Sequence, residues 1–357
     1  MKFYALPVLS VEPAAQDATS IRLDVAEGLR QELAHKAGQY VSVRCPVHGL
    51  MESRTYSIVT APGEKGLRLG VRAQPGGRAS QLLAKQLRPG DLLEVSKPMG
   101  RFWTPREASR RRSYVAFAAG SGITPVLSIA GDILKHEPQS RFTLVYGNRN
   151  TARTMFAEEI LELKNRFVER FSVHFVMSRE PQQAQLLNGR LEAEKVTQLL
   201  AQFPDIGSAD EYFICGPEGM TEDVRRVLAS TRPHATIRIE RFAAGAGAHR
   251  AVSQPTTVAP PLAVLATVGI TLDGRRREFP MSPQDPSVLD AAERAGLRLP
   301  FSCRAGICAT CRVKVLSGQA AMAHNIALAS WETELGYILS CQARPLTPHL
   351  ELSYDQK

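Results

Sequence analysis

Three cysteines crowd into nine residues of the stretch "FSCRAGICATCRV": Cys303, Cys308 and Cys311. A fourth, Cys341, follows far downstream in "LSCQARP". Thiolates are ligands for soft metals. C-x4-C-x2-C with one distant cysteine is a spacing that holds a [2Fe–2S] cluster. A tight loop supplies three thiolates, and the fourth arrives from elsewhere to close the cage. Gly306 has no side chain, so backbone N–H groups can approach the cluster sulfides. Structural zinc prefers paired C-x2–4-C knuckles, which the x4 gap and the lone cysteine fit poorly. A disulfide framework suits an exported chain, and "MKFYALPVLSVEP" has neither the apolar core nor the cleavage site of an export signal.

The cysteine motif resembles that of plant-type ferredoxins, whose fold is a β-grasp. Its neighbours agree: "ATVGITLDGRRREFPM" reads as a hairpin and "SVLDAAERAG" as a helix. The resemblance covers residues 263–357 and implies one-electron transfer. Such a centre needs a donor.

"RTYS", Arg54–Ser57, resembles the R-x-Y-S flavin motif of the ferredoxin–NADP reductase superfamily. The resemblance implies that Arg54 neutralises the flavin diphosphate, Tyr56 packs on the isoalloxazine ring and Ser57 approaches its N5. "VRAQPGGRAS" follows, opened by Val71 and Arg72. It places Ser80 at the start of a short helix, where N–H groups bind phosphate oxygens. Gly77 and Ala79 leave room for that approach.

"AAGSGITP" sits between a strand and a helix, the context of a dinucleotide phosphate turn built on Gly120, Gly122 and Thr124. It matches the superfamily's G-x-G-x-x-P. In "CGPEGM" the resemblance implies that Cys215, Gly216, Pro217 and Met220 lie along the nicotinamide, with the thiol near C4, and that Phe242 of "IERF" lies near the flavin ring. Ser57, Cys215 and Phe242 are thus the expected catalytic positions. In a dinucleotide fold an acidic residue after the relevant strand binds the ribose 2′-OH of NAD. Ser178 and Arg179 stand there instead, followed by Glu180. They suit a 2′-phosphate through charge-assisted hydrogen bonds, and Arg149 in "YGNR" offers a second positive contact. NADPH is therefore expected over NADH. Cys45, in "RCPV", has no such context and reads as structural.

These residues must be positioned by three kinds of element. Residues 1–108 read as short alternating strands between turns, with one short helix near Ala79–Gln86, the pattern of an antiparallel β-barrel, which the resemblance implies is the flavin-binding one. Residues 109–242 alternate apolar strands with helices, the pattern of a parallel α/β sheet, which the resemblance implies binds nicotinamide. Residues 243–262 are Ala/Gly/Pro/Thr-rich and aperiodic, a linker expected to tether the 263–357 ferredoxin domain between electron donor and acceptor.

The chain of 357 residues is too long for one ordinary core. Its formal charge is +9, yet the segment from Ala263 holds ten Lys/Arg against nine Asp/Glu. The basic runs Arg110–Arg112 and Arg275–Arg277 are short and lack interleaved aromatics, so they read as solvated faces and not as a nucleic-acid site. Attraction of phosphorylated coenzymes accounts for the charge as well. No apolar run reaches the ~20 residues of a membrane helix, and a cytoplasmic protein without membrane association is expected. Neither a Ser/His/Asp constellation nor H-E-x-x-H is visible.

Taken together, flavin barrel, nicotinamide domain, linker and ferredoxin resemble the reductase components of bacterial multicomponent oxygenases. "MAHNIALASWETELGYILSCQARP" and "YGNR…MFAEEI" resemble the reductase subunits of phenylacetyl-CoA epoxidase. The implied electron route runs from NADPH through FAD and the [2Fe–2S] cluster to the metal centre, a diiron one, of an oxygenase component. Reductases of ketosteroid or aromatic-ring hydroxylases share these modules. A non-catalytic iron–sulfur sensor is the alternative from another class, but it would not need complete flavin and nicotinamide motifs.

Overall fold

The computed structural model describes residues 2–47, 50–242, 266–301, 303–328 and 330–356. They fall into two compact units, Lys2–Phe242 and one within Ala243–Lys357. The expected linker, Ala243–Leu262, lies outside the described residues.

The first unit begins with an antiparallel sheet of β1 (Phe3–Ala15), β2 (Ala18–Leu23), β3 (Tyr40–Val47), β4 (Leu50–Ser57), β5 (Leu67–Arg72) and β6 (Leu92–Ser96), ordered β4-β3-β6-β1-β2-β5. An Ile58–Leu69 bridge joins its two ends and closes it into a barrel. Helix α1 (Arg78–Lys85) follows β5. Strand β1, at 13 residues, escaped the sequence reading. Its long apolar–polar alternation is interrupted by prolines at positions 7 and 13, and such breaks obscure the period.

A parallel sheet follows: β7 (Ser113–Ala119), β8 (Arg141–Asn148), β9 (Phe171–Met177), β10 (Glu211–Gly216) and β11 (Thr236–Arg241), in the order β11-β10-β7-β8-β9. The crossovers carry α2 (Ile123–His136), α3 (Ala157–Arg166), α4 (Ala193–Gln202), α5 (Pro204–Gly207) and α6 (Glu218–Thr231). The order reverses between β7 and β10, and ligands of doubly wound sheets bind at such a switch point. Barrel and parallel sheet, expected as successive domains, pack into one compact unit. The physical reason is a shared core, in which Ala18, Val59 and Phe102 join Ala118, Ile129 and Phe156. The Arg68–Glu159 ion pair, at 2.7 Å, adds a polar tie.

The second unit is a β-grasp. Strands β12 (Ala266–Leu272) and β13 (Arg275–Met281) form the hairpin, followed by α7 (Val288–Arg294), β14 (Arg312–Ser317), β15 (Ala320–Met322), α8 (Ser330–Glu334), β16 (Tyr337–Leu339), β17 (Ala343–Pro345) and β18 (His349–Ser353). The main sheet runs β13-β12-β18-β14-β16. Ser287 caps α7 by accepting from the Asp290 N–H at 3.3 Å, the residue-to-N3 geometry that starts helices. Val288, Leu289, Ala291 and Ala292 bury the opposite face of that helix.

Candidate active site

The cluster loop lies between α7 and β14, and from Cys303 to Cys311 it turns through three left-handed residues, Arg304 (φ 54°), Gly306 (φ 72°) and Ala309 (φ 53°). Such turns cost non-glycine residues energy unless the surroundings hold them. Arg304 is held: its guanidinium donates to Asp290 at 2.8 Å and pairs with Glu293, both on α7. At Gly306 a Cβ would meet the His324 carbonyl at 2.8 Å, so this position admits only glycine without a shift. The freed backbone aims inward. Ala305 and Cys308 N–H both donate to Cys303 Sγ at 3.4 Å.

The four thiols stand as two pairs. Cys308 shares a hydrogen bond with Cys303, and Cys311 Sγ lies 3.2 Å from Cys341 Sγ. Within each pair one thiol is held down and its partner up. Cys303 drops to about 5 through the hydrogen bond from Cys308, reinforced by backbone N–H groups of Ala305, Ile307 and Cys308. Cys341 is lowered by Cys311 and by the Gly306 N–H. Among the described residues no three His, Cys, Asp or Glu side chains converge as one metal ion would require. Two thiol pairs suit two irons, whereas zinc needs four ligands around one point. The residues present therefore fit a [2Fe–2S] cluster. Gln342, which sequence reasoning passed over although it stands beside the fourth cysteine in "SCQ", ties that ligand to the loop: its Nε2 donates to Arg304 O at 2.8 Å and to Cys341 Sγ at 3.7 Å.

In the other unit, β4 carries the flavin motif. Alternation puts Arg54 and Tyr56 on one face and Ser57 on the other. Arg54 is exposed and donates to Ser53 O at 2.8 Å. Tyr56 is half-buried, and desolvation pushes its phenol up. Ser57 is buried. Val71 lies in the barrel core. Arg72 pairs with Asp17 at 3.3 Å and donates to Arg153 O at 2.7 Å. Helix α1 starts at the Gly77 N-cap. The Ser80 hydroxyl donates back to Gly77 O at 2.9 Å and accepts from Gln74 N–H at 3.1 Å, and Ala79 is buried beneath.

The dinucleotide turn is a close crossing. A Cβ on Gly122 would lie 2.0 Å from the Cys215 carbonyl oxygen, so β10 and the turn after β7 touch backbone to backbone. Gly120 takes φ +56°, and Tyr146 OH donates to its carbonyl at 2.8 Å. Thr124 donates to Ser121 O at 2.9 Å, and its methyl group abuts Gly70 of β5. Cys215 is fully buried, and desolvation raises its thiol well above the ordinary range. Gly216 faces Met220 and Ala119, and Pro217 caps α6. Phe242 is half-buried against the core that contains Cys215 and Val59.

At the outer end of the sheet two backbone bonds align the expected phosphate residues. Ser178 N–H donates to Asn148 O at 2.9 Å, and Arg179 N–H donates to Arg149 O at 2.8 Å. Both arginines are exposed, and among the described residues neither is in an ion pair. Glu180 turns to the β8–α3 connection, where it accepts from Thr151 N–H at 2.8 Å and Thr151 Oγ1 at 2.6 Å. Two further residues carry signals that sequence reasoning missed. Glu240 is paired in register with Cys215 across β10 and β11, and burial lifts its carboxyl to about 8. Asn148, beside Arg149, buries both amide atoms next to Tyr146. A polar residue at the carboxyl end of an apolar strand was the available cue.

Comparison with known proteins agrees with this layout. Residues 5–103 match the family model of an oxidoreductase FAD-binding domain, 117–226 that of an oxidoreductase NAD-binding domain and 270–346 that of a 2Fe-2S iron-sulfur cluster binding domain. The chain is 38% identical to a component protein of the 1,2-phenylacetyl-CoA epoxidase of Escherichia coli (strain K12), over 99% of this chain and 98% of that one. It is 31% identical to the ferredoxin reductase component of 3-ketosteroid-9-alpha-monooxygenase of Rhodococcus rhodochrous, over 98% and 96%. Phthalate dioxygenase reductase, a solved structure, shares the fold with a TM-score of 0.59 at 24% identity over 98% of both chains. The chain belongs to the family of oxygenase reductase components that carry an FAD domain, a nicotinamide-nucleotide domain and a C-terminal [2Fe–2S] ferredoxin domain on one polypeptide.

Proposed function

We propose that this reductase uses NADPH and delivers electrons to the oxygenase component of a phenylacetyl-CoA epoxidase. The observation that carries the coenzyme reading is the pair Arg149 and Arg179, held side by side at the sheet edge while Glu180 is engaged by Thr151. Two guanidinium groups without a competing carboxylate suit a 2′-phosphate. The acceptor reading rests on identity to a named epoxidase component across nearly the whole chain.

Bound FAD and cluster would supply two-electron and one-electron chemistry respectively. The chain supplies place and field. Arg54, and the α1 N-terminus behind Gly77, would hold the flavin diphosphate, while Tyr56 and Ser57 would border the ring. Gly120, Gly122 and Thr124 would cradle the coenzyme pyrophosphate. Cys215, neutral because burial raises its thiol, would give the nicotinamide an uncharged wall, with Phe242 and Met220 alongside. Cys303, Cys308, Cys311 and Cys341 would hold the irons, with backbone N–H groups facing the sulfurs.

Reconstitution tests the reading. With the epoxidase oxygenase component and phenylacetyl-CoA, NADPH should support product formation at a kcat/KM at least about tenfold above that with NADH. A chain ending at Phe242 should keep NADPH-dependent ferricyanide reduction but support no epoxidation. Full epoxidation by that shortened chain would remove the cluster from the route. Turnover only with a ketosteroid oxygenase would overturn the choice of acceptor.

A further inference from the structure

The β-grasp unit carries a charged groove that neither the coenzyme route nor the cluster uses. Strand β13 is an edge strand, and its residues alternate between faces. Arg275 and Arg277 share a face with Phe279 and Met281. The latter two are buried, whereas the arginines are exposed, so the inner face of the hairpin runs out past the core. There Arg277 sits opposite Ile270, and Arg275 opposite Leu272. Leu297 and Leu299 extend the apolar floor, and Arg298 between them adds a third cation, bounding a groove of about 400 Å³. Asp273 at the hairpin tip is its one acidic lining residue.

The unit's other charges are largely spent on one another. Arg276 pairs with Glu278 and Glu351, Arg294 with Asp285, Arg304 with Asp290 and Glu293, and Arg312 with Glu332. The Asp355 carboxylate accepts from the Asp273 and Gly274 N–H groups at 2.8 Å each. Among the described residues no ion pair involves Arg275, Arg277 or Arg298. Three arginines outside any such pair therefore line one groove and gather positive field there. Cations alone would serve to guard an edge strand against pairing. Here, however, one of the three comes from outside the strand, and all three rim an apolar floor. An apolar centre with an arginine-rich rim is the anatomy of a protein interface.

We propose that this groove is a docking site for an acidic segment of a partner protein, with apolar side chains on the Ile270–Leu299 floor and carboxylates on the three arginines. Arg298 and Leu299 lead directly into the cluster loop, so the docked segment would sit at the root of the loop that carries Cys303. The inference does not depend on which oxygenase accepts the electrons.

The test titrates the full-length holoprotein with a fluorescein-labelled peptide of alternating Glu and Leu, read by anisotropy. Saturable binding is expected, and it should weaken as salt shortens the Debye length to about 3 Å. Arg275→Glu with Arg277→Glu should raise Kd at least about tenfold, and Arg298→Glu alone about threefold. The charge-matched pair Lys65→Glu with Arg111→Glu, exposed on the other unit, should leave Kd within about twofold. All variants should keep the cluster absorbance and flavin reduction by NADPH. Absence of saturable binding, or equal weakening by both reversed pairs, would overturn the proposal. Tighter binding of a single-stranded oligonucleotide of equal charge would assign the groove to nucleic acid. Self-association of the Arg275/Arg277 variant with unchanged peptide affinity would reduce these arginines to guards of the edge strand.

Discussion

Two cysteine environments in this molecule have opposite characters. Cys303 is half-exposed, and hydrogen bonds from Cys308 and from backbone N–H groups draw its thiol down to about 5. Cys215 is fully buried among apolar strands, and desolvation pushes its thiol far up. The first environment prepares a thiolate, which is what iron binds. The second keeps the sulfur neutral and compact, so that a backbone crossing can close against it. Burial alone does not separate the two, since Cys311 and Cys341 are buried as well; in the cluster region each thiol stands beside a second thiol, and one of each pair is drawn down.

The sharpest way to break this contrast is to remove a ligand. Cys308→Ser should cost the protein its iron and cluster absorbance while leaving flavin content and flavin reduction by NADPH intact. Iron assay and stopped-flow absorbance check this, and loss of both activities together would show that the two sites are not separable. On the other side, Gly122→Ala places a methyl group 2.0 Å from the Cys215 carbonyl, where only backbone could yield. It should destabilise the Lys2–Phe242 unit by about 1–3 kcal/mol and slow flavin reduction, with the cluster spectrum unchanged. Gly219→Ala, which meets nothing within 4 Å, is the matched control in a thermal melt.

A smaller effect separates coenzyme selection from the Cys215 wall. Arg179→Ala should raise KM for NADPH about tenfold and leave KM for NADH unchanged, because only NADPH carries the 2′-phosphate. Equal changes for both coenzymes would place Arg179 elsewhere. A pH-dependent effect concerns Glu240, whose carboxyl desolvation raises from 4.5 to about 8. The folded state then binds a proton that the unfolded chain releases. That contribution to stability is full below about 4.5 and is lost as pH rises through about 8. Thermal melts of Glu240→Gln across this window should show a flatter pH profile than the parent chain. An identical profile would mean that Glu240 titrates normally.

Cys303, Cys308 and Cys311 were legible as a group because a tight loop brings them together at fixed short spacings, whatever the rest of the fold does, whereas Cys341 joined them only through the resemblance to plant-type ferredoxins. The glycine turns after β7 and before α1 were legible for the same local reason, as were most strands and helices, whose apolar periods are intact. The groove on the β-grasp unit was not: Arg275–Arg277 reads as a solvated run until the sheet shows that two of the three share a face with the core.

What the sequence determined by itself was therefore the local chemistry: which thiols lie in one loop, which glycines open a helix, and which segments alternate at period two or turn at 3.6 residues. Tertiary structure alone decided the pairings between distant segments. It set Gly122 against the Cys215 carbonyl, brought Glu240 into register with Cys215, and turned Glu180 toward Thr151 and away from the arginines. It also paired Arg72 with Asp17. The physical reason is range. Spacing along a chain fixes contacts within a turn or a loop, whereas the charge and burial of a side chain depend on what the sheet order places beside it.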